Sequence, residues 1–251
     1  MKVKIKTLTL IATIALLSLL ISNVSFSQET ESEPKNKEGR GYLMFGGGKL
    51  DIDALNDRLL SQGKPVFNDE FASFGIGFLN KKNQHWLIGA EGHYLIIDEK
   101  DYTATNGSYK ASLSAACGFI DFGYDVLSST KLNLYPLIGI GGGGLWLQIG
   151  KNNFNDILDT PERNANLTSF TVLFNFALGS DYLIKSSEDT KNKVGLVLGF
   201  RAGYIYSPWQ GTWWTDNISI DNGPKLGMTG PYLRIMIGLG GKGEWWKEKE
   251  K

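Results

Sequence analysis

The segment "TSFTVLFNFALGSDYLI", Thr168 to Ile184, alternates almost without a break. Its even positions are Thr168, Phe170, Val172, Phe174, Phe176, Leu178, Ser180, Tyr182 and Ile184, while Ser169, Thr171, Leu173, Asn175, Ala177, Gly179, Asp181 and Leu183 between them are mostly small or polar. Side chains at i and i+2 share one face of a pleated ribbon, so this is a strand pattern. An ordinary strand has about 5 to 6 residues, and this run is nearly three times as long. A ribbon of that length with one apolar face needs an equally long apolar surface, or an apolar solvent, to lie against.

Seven further runs have the same character. They are "GYLMFGGG" from Gly41, "FASFGIGFL" from Phe71, "HWLIGAEGHYLII" from His85, "SYKASLSAACGFIDFGYDVL" from Ser108, "KLNLYPLIGIGGGGLWLQI" from Lys131, "KVGLVLGFRAGYIY" from Lys193 and "GPYLRIMIGLGG" from Gly230. Connections of 22, 10, 17 and 23 residues alternate with connections of 5, 3 and 8. In an antiparallel up-and-down sheet this puts every longer loop at one end and every short turn at the other, as in a transmembrane barrel. The first long connection carries Ile52, Leu55 and Leu59 at spacings of 3 and 4, with Asp51 and Asp53 near its start and Gly63 after it. That spacing predicts a short helix, lying over the barrel mouth or, alternatively, forming a loose amphipathic turn.

The two faces of each run are chemically distinct. Val194, Leu196, Leu198, Phe200, Ala202, Tyr204 and Tyr206 oppose Gly195, Gly199, Arg201 and Gly203, and Leu233, Ile235, Ile237 and Leu239 oppose Tyr232, Arg234 and Met236. Trp86, Ile88, Ala90, Tyr94 and Ile96 lie opposite Glu91 and His93. The run from Ser108 fits if a bulge near Cys117 shifts its register, so that Ile120, Phe122, Tyr124 and Val126 oppose Asp121, Gly123 and Asp125. A soluble sheet turns its apolar face inward and offers a Lys- and Glu-rich face to water. Here the polar face is instead rich in Gly, Ser and Ala with isolated Arg, Glu and Asp, which suits a cramped interior. Within lipid every backbone group must be paired, so only a closed barrel lets strands cross. The predicted fold is therefore all-β: a closed antiparallel up-and-down transmembrane barrel, about eight strands, spanning residues 41–241. Tyr124, Tyr182, Tyr204, Tyr206, Trp86, Tyr94 and Trp146 tend toward strand ends, where amphipathic rings meet lipid headgroups.

The chain starts with Lys2, Lys4 and Lys6, an apolar run from about Leu8 to Val24, and Ser25-Phe26-Ser27. This is the pattern of a secretory signal peptide over residues 1–27, with an uncleaved anchor as the alternative. Residues 28–40 are charged and aperiodic, a flexible linker, and residues 242–251 form a charged tail. Removing the leader takes three of the 26 basic residues and none of the 26 acidic ones, leaving a formal charge of −3. A near-neutral balance without a basic run gives no support for nucleic-acid binding. The single cysteine, Cys117, rules out an internal disulfide. Glycine, 31 of 251 residues, is above the usual roughly 7% and sits inside the apolar runs, where it marks crowded or bent sheet.

On "PLIGIGGGGLW", "LFNFALGSDYLI", "LGFRAGYIYSP" and "GPYLRIMIGLG", and on the layout of residues 41–241, the chain resembles the small outer-membrane β-barrels of Gram-negative bacteria, the eight-stranded OmpA/OmpX-like group. The resemblance implies the fold, an outer-membrane location and lipid as the surrounding partner; it implies no substrate. Such barrels often finish on an aromatic residue, whereas this chain continues through "GEWWKEKEK", leaving Trp245 and Trp246 as substitutes.

Eight strands leave an interior that side chains fill, so the inward charges Glu91, Asp121, Asp125, Asp181, Arg201 and Arg234 should pair with one another, with Arg201 and Arg234 bridged by carboxylates. His93 beside Glu91 invites comparison with barrel enzymes that deacylate lipid A, but this spacing specifies no nucleophile and base, and no catalytic residue is assigned. With two His and one Cys there is no metal-ligand spacing; no metal or cofactor is expected. Trp209, Trp213 and Trp214 in the last loop are candidate binding residues for an unidentified extracellular ligand or surface partner, or an interfacial belt. Three functions remain open: a monomeric outer-membrane barrel with a structural or surface-binding role through its loops, an outer-membrane lipid-modifying enzyme, and a periplasmic lipocalin-like binder of an apolar ligand, which would reverse the sidedness of every strand.

Overall fold

The structure is a computed structural model, described for residues 37–82, 85–104, 107–128, 132–151, 165–185, 192–209, 211–215, 218–220, 223–224 and 226–243. The leader, residues 28–36 of the linker and the Trp245–Trp246 pair lie outside the described residues. The strands are β1 (Lys37–Lys49), β2 (Glu70–Lys82), β3 (Trp86–Ala104), β4 (Gly107–Tyr124), β5 (Leu127–Ser128), β6 (Leu132–Lys151), β7 (Ala165–Lys185), β8 (Asn192–Tyr206), β9 (Trp213–Thr215), β10 (Ile218–Ile220) and β11 (Gly230–Gly243), with one helix, α1 (Asp53–Ser61).

Eight of these close a ring. Each of β1, β2, β3, β4, β6, β7 and β8 pairs antiparallel with the next, and β8 pairs with β11. The ladder between β11 and β1, from Lys37↔Gly243 to Gly48↔Tyr232, joins last strand to first. Closure pairs each strand of the ring on both sides over most of its length, and this permits the strands to cross lipid. The fold is the expected closed antiparallel transmembrane barrel.

The sidedness is also as expected. Phe170, Val172, Phe176, Leu178, Tyr182 and Ile184 of β7 are exposed, while Ser169, Leu173, Asn175 and Asp181 are buried. The same holds around the ring: Leu43, Phe74, Ile120, Ile138, Phe200 and Ile235 all face outward. Among the described residues, more large hydrophobic side chains are exposed than buried. In water each would forgo roughly 1.5–3 kcal/mol of burial, so the wall is built for an apolar solvent, and the lipocalin sidedness does not apply. At the short-turn end Tyr124 lies 5.3 Å from both His85 and Trp86, and Trp146 meets Phe170 edge-on toward the loop end.

Three boundaries differ from the sequence reading. Residues 37–40, assigned to the linker, pair with β11, because Arg40 turns inward to an ion pair that a solvated linker would not supply. Residues 98–104, the greater part of a stretch read as a loop over 98–107, continue the β3–β4 ladder to Ala104↔Gly107. Their charges sit on strands that extend past the apolar belt, where Lys110 pairs with Glu99 at 2.6 Å and Tyr102 stacks on Tyr109 at 5.5 Å. The bulge expected near Cys117 is absent: β4 buries Ala111, Leu113, Ala115, Cys117, Phe119 and Asp121 in uninterrupted alternation. The register shift falls on β3 between Ile96 and Asp98. Large and apolar, Phe119 resembles an outward residue in the sequence but packs in the interior.

The loop end is plugged. Ile52, Leu55 and Leu59, the apolar face of α1, pack with Phe67, Phe71, Leu95, Leu113, Leu147, Trp213, Leu226 and Met228 in one cluster. The helix thus lies over the mouth, and Gly63, at φ +66°, turns the chain away after it. A second apolar layer, including Tyr42, Met44, Leu79, Leu137 and Met236, lies toward the short turns.

Glycine sets how closely β4 and β6 approach. A Cβ on Gly141 would sit 1.8 Å from the Gly118 carbonyl oxygen, whereas one on Gly142 meets nothing nearer than the Thr171 carbonyl oxygen at 3.6 Å. Gly141→Val is expected to abolish the folded barrel, read as loss of the compact species on an unboiled gel. Gly142→Ala should leave stability within about 0.5 kcal/mol of the parent.

Candidate functional site

The inward charges of the wall form two groups, with Tyr135 between them in contact with both Asp181 and Arg201. At mid-barrel, Arg201 and Arg234 face each other across the β8–β11 ladder. Like charges side by side need a shared counterion, and Glu91 from β3 supplies it. Its Oε1 accepts from Arg234 Nη1 at 3.3 Å, and its Oε2 accepts from Arg201 Nη1. Asn175 Nδ2 donates to Glu91 Oε1 at 3.3 Å and Asp121 Oδ1 at 3.4 Å, while the Tyr232 hydroxyl donates to Asn175 Oδ1 at 2.8 Å. Asp121 lies 3.9 Å from Arg201, and the Arg234 guanidinium stacks 3.9 Å over the Tyr232 ring. All six of these residues are 6% exposed or less.

The second group closes the short-turn end. Asp181 does not reach Arg201 or Arg234. It accepts from Arg40 Nη1 at 2.6 Å, Tyr42 at 2.7 Å and Tyr135 at 2.8 Å. Asp125 pairs with Lys81 at 2.6 Å. The amide of Asn133, oriented to satisfy both neighbours, donates to Asp125 at 3.1 Å and accepts from Arg40 at 2.9 Å, joining the two pairs. Glu38 adds a contact to Arg40 from the rim. The buried wall charges thus balance, with Glu91, Asp121, Asp125 and Asp181 against Arg40, Lys81, Arg201 and Arg234. Arg40 and Lys81 were hidden in the sequence because one reads as linker and the other as part of the turn "NKKNQ". Inward parity counted back from Tyr42 and Leu79 would have found both.

His93 Nε2 lies 3.3 Å from Glu91 Oε1 without hydrogen-bond alignment, and its side chain is fully buried. Cys117 is its cross-strand partner and is also buried. Glu91 is held by two guanidiniums between apolar layers, so it acts as a counterion here; proton transfer to a substrate would need a reachable atom beside it. Among the described residues, no group of three or more His, Cys, Asp and Glu could hold a metal ion.

The three loop tryptophans do not form one surface. Trp209 and Trp214 are 61% and 45% exposed, but Trp213 is 2% exposed and donates from Nε1 to the Pro224 carbonyl at 2.7 Å. Adjacent residues of β9 point to opposite sides, so Trp213 enters the plug and leaves the candidate binding set. A further exposed feature is the extension of β3, β4, β6 and β7 beyond the other strands. The β2–β3 ladder reaches only Ala72↔Ile96, whereas β4 and β6 remain paired to Tyr109↔Lys151 and β6 and β7 to Ile149↔Ala165.

Asp98 ties this extension to the first loop. Its Oδ2 accepts from the Asn68 backbone N–H at 2.8 Å, its Oδ1 from that of Glu99 at 2.8 Å, and Lys100 Nζ is 3.0 Å away. Partial burial raises its pKa, but these donors and the Lys100 charge outweigh it and hold the carboxyl below its usual value. The tether is therefore complete above the ordinary aspartate pKa and is lost as pH falls through the depressed one. The Asn68 amide resonance should titrate with a midpoint below about 3.9. In the interior, Glu91→Leu strands two guanidiniums and should cost about 3–5 kcal/mol in denaturant unfolding from micelles.

No family model and no curated protein matches the chain. Among solved structures it is similar to Ail, the attachment invasion locus protein of Yersinia pestis, at 10% identity and a TM-score of 0.39, over 83% of this chain and 99% of that one. It is also similar to the outer membrane protease OmpT from Escherichia coli, at 9% identity and a TM-score of 0.39, over 86% of this chain and 100% of that one. The transport unit of the autotransporter AIDA-I from Escherichia coli gives 10% identity and a TM-score of 0.25, over 91% and 96%. The fold assignment rests on the strand pairings of this chain itself.

Proposed function

We propose that the protein is a monomeric outer-membrane β-barrel whose closed stem presents a surface-binding platform on the cell exterior. The observation that carries this reading is the extension of β3, β4, β6 and β7 past an apolar belt whose interior is packed. A hydrocarbon core is crossed by roughly 9–11 residues of a tilted strand, yet β7 has 21 residues and β6 has 20. The surplus lies at the long-loop end, which faces outward in outer-membrane barrels. The charge pairs and the plug suit a rigid stem, since they use the interior that a pore or an enclosed ligand would need.

The platform has the chemistry of a recognition surface. Beyond Ile96, β3 pairs only with β4 among the described residues, so residues 98–104 form a strand edge able to take an extended peptide by backbone pairing. Glu99 and Asp101 are exposed along it, and charge at a strand edge discourages indiscriminate self-association. The signal-peptide pattern of residues 1–27 agrees with export.

Three measurements test the reading. The folded barrel should migrate faster on an unboiled gel than after boiling and stay soluble only with detergent; a water-soluble mature chain would sink it. An epitope inserted between Ala104 and Gly107 should be labelled on intact Gram-negative cells. Replacing residues 99–109 with a two-residue turn should keep the heat-modifiable barrel and remove cell attachment to immobilised protein surfaces.

A further inference from the structure

The barrel wall carries a notch near the loop end. The β7–β8 ladder stops at Phe174↔Tyr206, and β9 resumes the pairing of β7 only at Ser169↔Trp213. Residues 170–173 have no strand partner on that side among the described residues. The chain leaving β8 crosses there instead. Thr171 Oγ1, Ser207 Oγ and the Trp209 carbonyl oxygen form a triangle of hydrogen-bond contacts served by two hydroxyl protons, with the two hydroxyl oxygens 2.7 Å apart and Ser207 Oγ 2.8 Å from the carbonyl. Gly211 lies so close to β7 that a Cβ on it would be 2.2 Å from the Phe170 carbonyl oxygen and 2.3 Å from Ser169 Oγ.

This crossing leaves an outward groove of about 390 Å³ lined by Phe170, Thr171, Val172, Trp209 and Gly211. Thr171 belongs to the inward-facing set of β7, so the groove cuts into the thickness of the wall. Its sides are apolar: Phe170 is 59% exposed and Val172 43%. The Thr171 hydroxyl is already engaged, and no charged residue lines the groove among the described residues. Its apolar sides suit an alkyl chain, and the groove is continuous with the lipid-facing surface of β7 through Phe176 and Leu178. Four residues of strand span about 13 Å, enough for a segment of acyl chain lying along β7.

We propose that this notch seats one acyl chain of a lipid in the outer leaflet of the membrane. The chain enters between Phe170 and Val172, with the Trp209 ring as the rim on the loop side. The inference rests on the membrane reading above. It adds to general lipid contact a single saturable site at one place in the ring.

The test titrates dimyristoylphosphatidylethanolamine into the detergent-solubilised full chain and counts retained lipid by native mass spectrometry. The parent should show a one-to-one complex that saturates. Val172→Trp, which fills the groove, and Trp209→Ala, which removes its rim, should each weaken it about tenfold, a loss of roughly 1.4 kcal/mol. Ile76→Trp, on the opposite wall at β2, should leave it unchanged. Heat-modifiable migration of each variant reports that the barrel has formed. Equal retention by the parent and both groove variants, or no saturable lipid on a heat-modifiable parent, overturns the lipid site and leaves the membrane barrel standing. A parent chain that is soluble without detergent overturns both.

Discussion

Everything in this molecule depends on the hydrogen-bond ladder having no end. A strand edge in hydrocarbon leaves N–H and C=O groups unpaired at several kcal/mol each, so the pairing of β1 with β11 is what lets the other seven ladders lie in lipid. Closure fixes the radius, and the radius leaves an interior that side chains fill. Glycines then appear where the filled interior or the neighbouring backbone comes too close. Gly139, whose Cβ would be 2.3 Å from Asp121 Oδ1, makes room for a charge on the next strand.

The filled interior sorts itself by chemistry along the barrel axis. Polar groups there cannot be hydrated by bulk water, so each carboxylate is placed against a cation or a ring of donors. Glu91 between Arg201 and Arg234, and Asp181 among Arg40, Tyr42 and Tyr135, are two solutions to the same problem. Each draws on residues from three strands at once, and a buried pair broken on one side costs more than the pair contributes. The arrangement ties strands distant in sequence into one register. Above it, α1 together with Trp213, Leu226 and Met228 closes the mouth with apolar side chains, so the loop end can carry exposed surface without opening the stem.

The alternation of β7, β8 and β11 made sidedness readable residue by residue, because a period of two allows only two assignments and the charges Arg201, Arg234 and Asp181 all fell on the same one. Where a strand is buried on one side by large groups, the rule blurs. Phe119 and Leu113 of β4 are as apolar as lipid-facing residues, and the sequence therefore suggested a bulge that the sheet does not have. Charged strands beyond the apolar belt were read as a loop for the opposite reason: Asp98 to Ala104 lacks an apolar face, although water satisfies such a ladder on both sides. Trp213 and Trp214 show the same limit at one residue's scale. Their composition is identical, and only the direction of a three-residue strand sends one into the plug and the other to the surface.

By itself the sequence determined that the chain is a barrel with its apolar side outward, since long period-two runs, small interior-facing residues and alternating loop lengths admit few other solutions. It also determined which residues are inward on most strands. The tertiary structure decided which charge meets which, because a barrel brings Glu91 of β3 to Arg201 of β8 and Arg234 of β11 through register and curvature that no local pattern encodes. It also decided where the wall is notched, for that depends on where β8 stops relative to β7. Both are properties of strand offsets around a closed ring, and those offsets are set by the packing of all eight strands together.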